Sequence, residues 1–519
     1  MLHGMPGRLA LAAASGLLLV LAFEPVAAGA VVPVALLGFG AVTRGVRVRA
    51  GFGYGLVFGA CFYFPHIWWM KESNGLVAWL ALAAIEAAFL GLAGAGAALV
   101  HRLRWWPVWV ALVWTAVEVT RSEQPFSGMP WGRLGFAAID TPFAPLLTYV
   151  GITGVTLVVV ALSMFVLRVL VTRGAEQRLA AVAALVVAGA ALLPLAVPYE
   201  LPVTGSATVA AVQGNVPGRG NDVLADPAGL TRNHVDATLA LAADVAAGRV
   251  PAPDFVLWPE NSTARDPFLD LETNAGIREA VAAIGVPVVV GGLVDDGPDH
   301  VRNQGIVWDP VTGPGQRYTK WHPVTMGEYI PWRPLFDRLG MTQSGQLARI
   351  PRDMRAGDET EPLRLGPARV ADAICFDVAY DNGIAAQIEN GADLLAVQTS
   401  NATFIFTGQV DQQFALTRAR AVESGKTTVV ASTNGISGII AADGTVLAAT
   451  DRRVQEVLVD RVPLRDGVTP GTRMGMLLRA TVRPAALLVV LVALVRRRRE
   501  RRAPDQPTGH STGHSTGQA

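Results

Sequence analysis

The stretch Arg369-Val-Ala-Asp-Ala-Ile-Cys375-Phe-Asp377 carries a thiol to the end of a run in which small and β-branched residues alternate with polar ones, as in a strand. An acidic residue follows two positions later. The chain holds 2 cysteines, and Cys61 lies in an apolar run where a thiol is a small hydrophobe. A disulfide framework is therefore out, and Cys375 is a candidate nucleophile, with a core thiol as the alternative. Two other stretches offer it partners. Phe255-Val-Leu-Trp258-Pro-Glu260-Asn261 runs a buried strand into a Trp-Pro turn that stops pairing and presents a carboxylate. Gln316-Arg-Tyr318-Thr-Lys320-Trp-His322-Pro offers a lysine in a polar loop after a strand and turn. Singly, Glu260 reads equally as a helix N-terminal acid and Lys320 as a solvated loop cation. Together, a carboxylate that takes a proton, an ammonium that steadies negative charge and a thiol that attacks form a set for nucleophilic catalysis.

Such a set needs strands to deliver it. Candidate strands cover Ala207–Gln213, Phe255–Trp258, Val286–Leu293, Gly305–Asp309, Val370–Ile374, Leu394–Gln398, Thr427–Ser432, Gly438–Ala441 and Val457–Val459, and candidate helices Leu230–Ala247, Leu269–Ile284, Ile384–Glu389 and Val410–Ser424. The alternation predicts an α/β domain with helices covering sheet faces.

The rest of the chain is of another kind. Of 519 residues, 51% are hydrophobic and 16% charged, and most acidic residues fall after position 200. A helix needs about 20 mainly apolar residues to span a bilayer. Such runs occur near 8–24, 27–43, 51–70, 75–100, 106–120, 143–167, 179–198 and 476–495, which predicts eight spans. The first reads as a retained helix, since no cleavage site and polar mature sequence follow it. Arginines gather at 44–49, 102–104, 168–178 and 496–502, while the alternate loops carry little more than Lys71, Arg121 and Arg133. The positive-inside rule then places both termini in the cytoplasm and residues 200–475 outside. Arg496–Arg502 reads as a topology determinant. Glu86, alone in its span, is either a packing contact or functional. Gly128–Gly135 and Phe64–Trp69 gather tryptophans that commonly anchor spans at an interface. The tail Thr508–His514 reads as disordered rather than metal-binding. A net charge of +1 and no basic face give no sign of a nucleic-acid partner.

Trp258-Pro-Glu260, Tyr318-x-Lys320-x-His322, Gly327-Glu328-Tyr329-Ile-Pro331 and Ile374-Cys375-Phe376-Asp377 resemble the motifs of the nitrilase superfamily. With the spans around them, the likeness is to its membrane branch, the apolipoprotein N-acyltransferases, over residues about 8 to 496. Leu21–Pro25, Gly53–Trp69 and Pro130–Gly135 are similar as well. The resemblance implies a polytopic α-helical membrane domain plus an extracytoplasmic α/β nitrilase-like αββα sandwich. It divides the chain into spans at 1–199, a catalytic domain at 200–475, a last span at 476–497 and a basic, then disordered tail at 498–519. It implies a Glu260, Lys320, Cys375 triad supported by Glu328, with Asn303 near the substrate and Trp258, Tyr329, Phe376 and Asp377 beside the site. It also implies a monomer in a bacterial cell membrane, with no cofactor or metal, taking an acyl chain from a phospholipid and passing it to a diacylglyceryl-modified lipoprotein. Phe376-Asp377 stands where Tyr-Glu is usual in the family, and Ser400–Phe406 departs from its Ser-Asn-Asp-Ala-Trp-Phe pattern, which bears on acyl-chain and donor preference.

In this reading Lys320 favours the thiolate and Glu260 acts as base. Met326–Ile350 is a lid dipping into the interface or a plain loop. The alternatives are a membrane-tethered amidase with water as second nucleophile, for which one span would suffice, a non-catalytic envelope scaffold, and a transporter, which paired ionisable residues inside several spans or inverted repeats would favour.

Overall fold

The computed structural model describes residues 4–343 and 345–502, the last two by backbone alone. The expectations for 503–519 and for the side chains of Arg501 and Arg502 lie outside the described residues.

Each apolar run forms a helix: α1 (Met5–Val20), α2 (Val32–Thr43), α3 (Val48–His66), α4 (Met70–Val100), α5 (Trp106–Arg121), α6 (Leu147–Val171) and α7 (Gly174–Ala196). By length and composition, four stretches can cross a membrane: Met70–Val100, Ala144–Val171, Gly174–Ala196 and Pro470–Glu500. Small residues let these helices touch. Gly51, Gly55 and Gly59 recur every four residues along α3, and a Cβ on Gly55 would lie 2.3 Å from the Leu90 carbonyl oxygen of α4. Only glycine permits backbones so close, the usual route to association where no hydrophobic driving force separates helix from lipid.

The helical half is more polar inside than its sequence suggests. Glu86 is not isolated: Arg121 Nη1 donates to its Oε2 at 3.3 Å and to the Met129 and Trp131 carbonyls at 2.8 and 2.9 Å. Arg121 and Arg133 are buried, so they are structural charges and drop out of the outward-loop count. Trp69 and Trp131 are likewise buried rather than lipid anchors.

The remaining elements are β1 (Val203–Gln213), α8 (Pro227–Ala246), β2 (Phe255–Leu257), α9 (Leu271–Ile284), β3 (Val288–Asp295), β4 (His300–Asp309), β5 (Gly313–Thr319), α10 (Arg333–Arg338), β6 (Asp353–Met354), β7 (Leu363–Leu365), β8 (Ala368–Ile374), α11 (Asn382–Glu389), β9 (Leu394–Thr399), α12 (Gln409–Ser424), β10 (Thr428–Ser432), β11 (Gly438–Ile440), β12 (Val446–Ala449), β13 (Glu456–Arg465) and α13 (Pro470–Arg502). One sheet runs β13-β1-β2-β3-β4-β5 with β6 on β4, the other β12-β11-β10-β9-β8-β7. Strand side chains alternate between faces. Val209, Phe255 and Leu257 of the first sheet therefore meet Ile374, Ala396 and Val429 of the second, while Ala210, Val256 and Val290 face Val235 and Ile277 of α8 and α9. The outward face of the second sheet, with Ala373 and Val397, packs on Ile384 of α11 and Leu416 of α12, and this core runs unbroken into Leu147, Ile152 and Val155 of α6. The helical half thus covers the sandwich on one side.

α12 is the hinge of that cover. α6 breaks at Gly151, with φ of 67°, which frees the amide of Ile152, and Glu423 Oε1 of α12 accepts it at 2.8 Å. A carboxylate at a fresh helix start also meets the positive end of the helix dipole. At the other end of α12, Gln412 Oε1 accepts the indole N–H of both Trp69 (2.9 Å) and Trp131 (2.8 Å).

Candidate active site

Strand ends set the site. β1, β2 and β3 are mutually parallel, as are β8, β9 and β10, and the carboxyl edge of parallel strands is where α/β layers leave a crevice. Past β2, Pro259 cannot donate to a ladder and the chain turns. Gly291 of β3 lets that turn close in, because a Cβ there would sit 2.1 Å from the Pro259 carbonyl oxygen. Glu260 follows, buried. Its Oε1 accepts Lys320 Nζ at 3.1 Å and Asn303 Nδ2 at 2.7 Å, and its Oε2 accepts the Ser400 amide at 3.0 Å. Lys320, immediately after β5, is fully buried and also donates to Glu328 Oε1 at 2.7 Å. Glu328 Oε2 accepts the Val324 amide at 2.7 Å.

Cys375 directly follows β8 in a left-handed conformation, φ of 52°, uncommon for a side chain bearing a Cβ and typical of functional turns. Asp377 holds that turn against the lysine loop. Its carboxylate accepts the Tyr318 hydroxyl (3.0 Å), the Trp321 and His322 amides (3.2 and 2.8 Å) and His322 Nδ1 (3.2 Å). Burial alone would raise Asp377, yet the His322 bond and charge, with Lys320 nearby, keep its carboxyl below the usual range. Asp377 therefore positions other groups.

Charge in the site follows from burial. Lys320 lies well above its ordinary range despite desolvation, because Glu260 and Glu328 flank it. Burial raises the Glu328 carboxyl, with Lys320 pulling the other way. Cys375 is half-buried, and the mass around it, then Glu260, push its thiol up against the opposing pull of Lys320. Lys320 pulls toward the thiolate as expected, but burial and the Glu260 charge outweigh that pull.

Glu260, Glu328, Cys375 and Phe376 line a cavity of about 200 Å³, with Trp69, Met70, Ser73 and Asn74 of the helical half as its far wall. Phe376 stacks on Trp131, ring centroids 5.6 Å apart. Two expected site residues stand elsewhere. Trp258 is a core side chain whose indole donates to Thr238 Oγ1 at 2.9 Å. Tyr329 donates to the Phe126 carbonyl at 3.0 Å and pins its loop to the helical half, as Asn74 Nδ2 does at the Met326 carbonyl. Asn74 and Ser73 escaped sequence reading because a polar pair at the start of a span resembles any helix entrance. Among the described residues no cluster suits a metal.

The two-sheet sandwich with a carboxylate, a lysine and a cysteine at its strand ends is of the carbon-nitrogen hydrolase class, and residues 208–467 match the carbon-nitrogen hydrolase family model. Residues 15–165 match the model of the apolipoprotein N-acyltransferase N-terminal domain. The apolipoprotein N-acyltransferase of Mycolicibacterium smegmatis is 37% identical over 515 residues, covering 94% of this chain and 85% of that one. That of Ralstonia nicotianae is 31% identical over 528 residues, covering 94% and 93%. Among solved structures, an amidase of the nitrilase superfamily from Nesterenkonia AN1 covers 53% of this chain and 95% of its own at 17% identity, TM-score 0.38. The chain belongs to the apolipoprotein N-acyltransferase family.

Proposed function

We propose that this protein moves a fatty acyl chain from a membrane phospholipid, through a thioester on Cys375, to the α-amino group of an N-terminal S-diacylglyceryl cysteine on a lipoprotein. Glu260 takes the Cys375 proton as sulfur attacks the ester carbonyl, which suits a thiol that burial pushes up. Lys320 and a backbone N–H near Phe376 hold the oxyanion. Glu260 returns the proton to the departing lysophospholipid oxygen. The acceptor amine then attacks the thioester, Glu260 takes its proton, the amide forms and the thiol is restored. The observation that carries this reading is the double wall of the cavity: the groups suited to acyl transfer share it with Trp69, Met70, Ser73 and Asn74 of the helical half, which suits an ester carried by a lipid. An amidase acting on small molecules has no use for that wall.

The reading extends to placement. Eight spans with a catalytic domain outside the cytoplasm rest on the apolar runs and the arginine distribution, which is more lopsided once Arg121 and Arg133 are counted as buried, while division at 199, 475 and 497 and a monomeric state rest on the family resemblance. Reporter fusions at the tail and in the α8–β2 turn test it: a cytoplasmic signal from the turn would reverse the topology. For the chemistry, purified protein incubated with labelled phospholipid yields acyl-Cys375 by mass spectrometry, and Cys375→Ser yields no thioester and no turnover. Full activity in Cys375→Ser would refute the assignment.

A further inference from the structure

Two residues beyond Phe404, which lines the cavity, Phe406 is 52% exposed and carries two guanidiniums, Arg219 at 5.5 Å and Arg453 at 5.1 Å from its ring centroid. Both arginines are exposed, and neither has a carboxylate partner among the described residues. Their neighbour Arg452 shows the contrast, since it pairs with Asp411. The backbone that carries the two arginines is held in place. Asn434, fully buried, donates from Nδ2 to the Gly220 carbonyl at 2.6 Å and accepts the Arg453 amide at its own carbonyl at 2.9 Å. One asparagine therefore braces both arginine-bearing turns. An aromatic face attracts cations without neutralising them, so Phe406 gathers two positive charges that remain free to bind an anion.

The location says which anion. Arg219 and Val223 share a segment, as do Phe404 and Phe406, and both Val223 and Phe404 line the cavity. Phe404 packs edge-on against Trp69 of the helical half, centroids 5.2 Å apart. The acceptor of the proposed reaction brings an amine, which two guanidiniums repel. The donor brings a phosphodiester a glycerol's length from the ester to be attacked, and guanidinium geometry suits paired phosphate oxygens.

Resting on the proposed acyl-transfer reaction, we propose that Arg219 and Arg453 bind the phosphodiester of the acyl donor and make the enzyme select phosphate-bearing lipids over neutral acyl esters. Single-turnover acylation of Cys375 in micelles tests this with two donors, phosphatidylglycerol and the phosphate-free ester p-nitrophenyl palmitate. In Arg219→Gln/Arg453→Gln, the half-saturating phosphatidylglycerol concentration rises roughly tenfold, the scale of losing charge-assisted hydrogen bonds at an exposed site. Its maximal rate and all constants for p-nitrophenyl palmitate hold within about twofold. Arg219→Lys/Arg453→Lys, which keeps the charge, recovers most of the phosphatidylglycerol affinity. Equal losses with both donors, or no loss with either, overturn the site. Inorganic phosphate that slows both donors equally in the native enzyme and neither in the Gln variant would mark a free-anion site and also overturn it. If the native enzyme acylates Cys375 from p-nitrophenyl palmitate but from no phospholipid, the donor assignment itself falls, and this site with it.

Discussion

Glu260 acts on Cys375 in two opposed ways. Its negative charge raises the thiol, second only to burial, yet the same carboxylate is the group placed to take the proton. Glu260→Gln separates these roles. Alkylation of Cys375 by iodoacetamide at fixed pH should be faster in the variant, because the thiolate costs less, while acyl transfer should fall by about 10²–10⁴, the usual worth of a general base. An unchanged rate would mean that the carboxylate does not face the sulfur, and a slower one that the lost base outweighs the cheaper thiolate. A second buried acid, Asp372, lies between the sheets with neither oxygen hydrogen-bonded, and Gln398 Oε1 is also without a donor. Burial, then Asp377, pushes Asp372 from 3.8 up to about 8. The folded state therefore holds a proton that the unfolded chain releases. Its stabilising share is full below about pH 4 and is lost as pH rises through about 8. Asp372→Asn keeps a donor at every pH, so thermal unfolding in detergent should show less loss between pH 6 and 9 than the native protein; an unchanged pH slope would contradict the protonated state.

Among the elements, α12 decides how the two halves meet. Its Leu416 and Ala419 pack in the shared core, Glu423 caps the broken start of α6, and Gln412 gathers Trp69 and Trp131. Gln412→Leu would strand two buried indole N–H groups at about 1–3 kcal/mol each. The expected result is a lower melting temperature in detergent. Because Trp69 lines the cavity and Trp131 backs Phe376, KM for phospholipid should also rise more than kcat falls. A variant with native stability would show that the indoles find other partners.

For the whole molecule, the decisive feature is a chain of buried charges through the contact between halves. Arg133 Nη1 donates to both oxygens of Asp381 at 2.9 and 3.0 Å, and Arg420 Nη2 donates to Asp381 Oδ1 at 2.8 Å. Arg420 also donates to the Val378 and Ala379 carbonyls, at 2.8 and 3.0 Å, just beyond the Cys375 turn. Burial alone would raise Asp381, but Arg133 and Arg420 hold its carboxyl well below the usual range. Removing one member of a buried ionic set leaves the others uncompensated, typically at about 3–5 kcal/mol. Asp381→Asn should therefore lower the temperature at which activity is lost irreversibly, and should speed proteolysis at the contact between helical half and sandwich. Native resistance to both would show that the contact rests on apolar packing alone.

What could be read along the chain was whatever local chemistry and period encode. Apolar runs became helices, alternating runs became strands such as β8 and β9, and Trp258-Pro-Glu260, Tyr318-x-Lys320 and Ile374-Cys375 put their polar residues at strand ends, where a crevice must open. β5 escaped because Gly-Pro-Gly-Gln-Arg reads as a turn, and it is an edge strand with only its last two residues buried. Tertiary structure alone decided where buried polar groups find partners. Arg133 looks like a loop cation until Asp381, 248 residues on, arrives, and Trp69 looks like a lipid anchor until Gln412 meets it. It also set burial against the pull of Lys320 on Cys375, since desolvation depends on all the atoms that surround a group and not on the charges beside it in sequence. A side chain's period is set by its neighbours along the chain, but its partner is set by the packing of segments hundreds of residues apart.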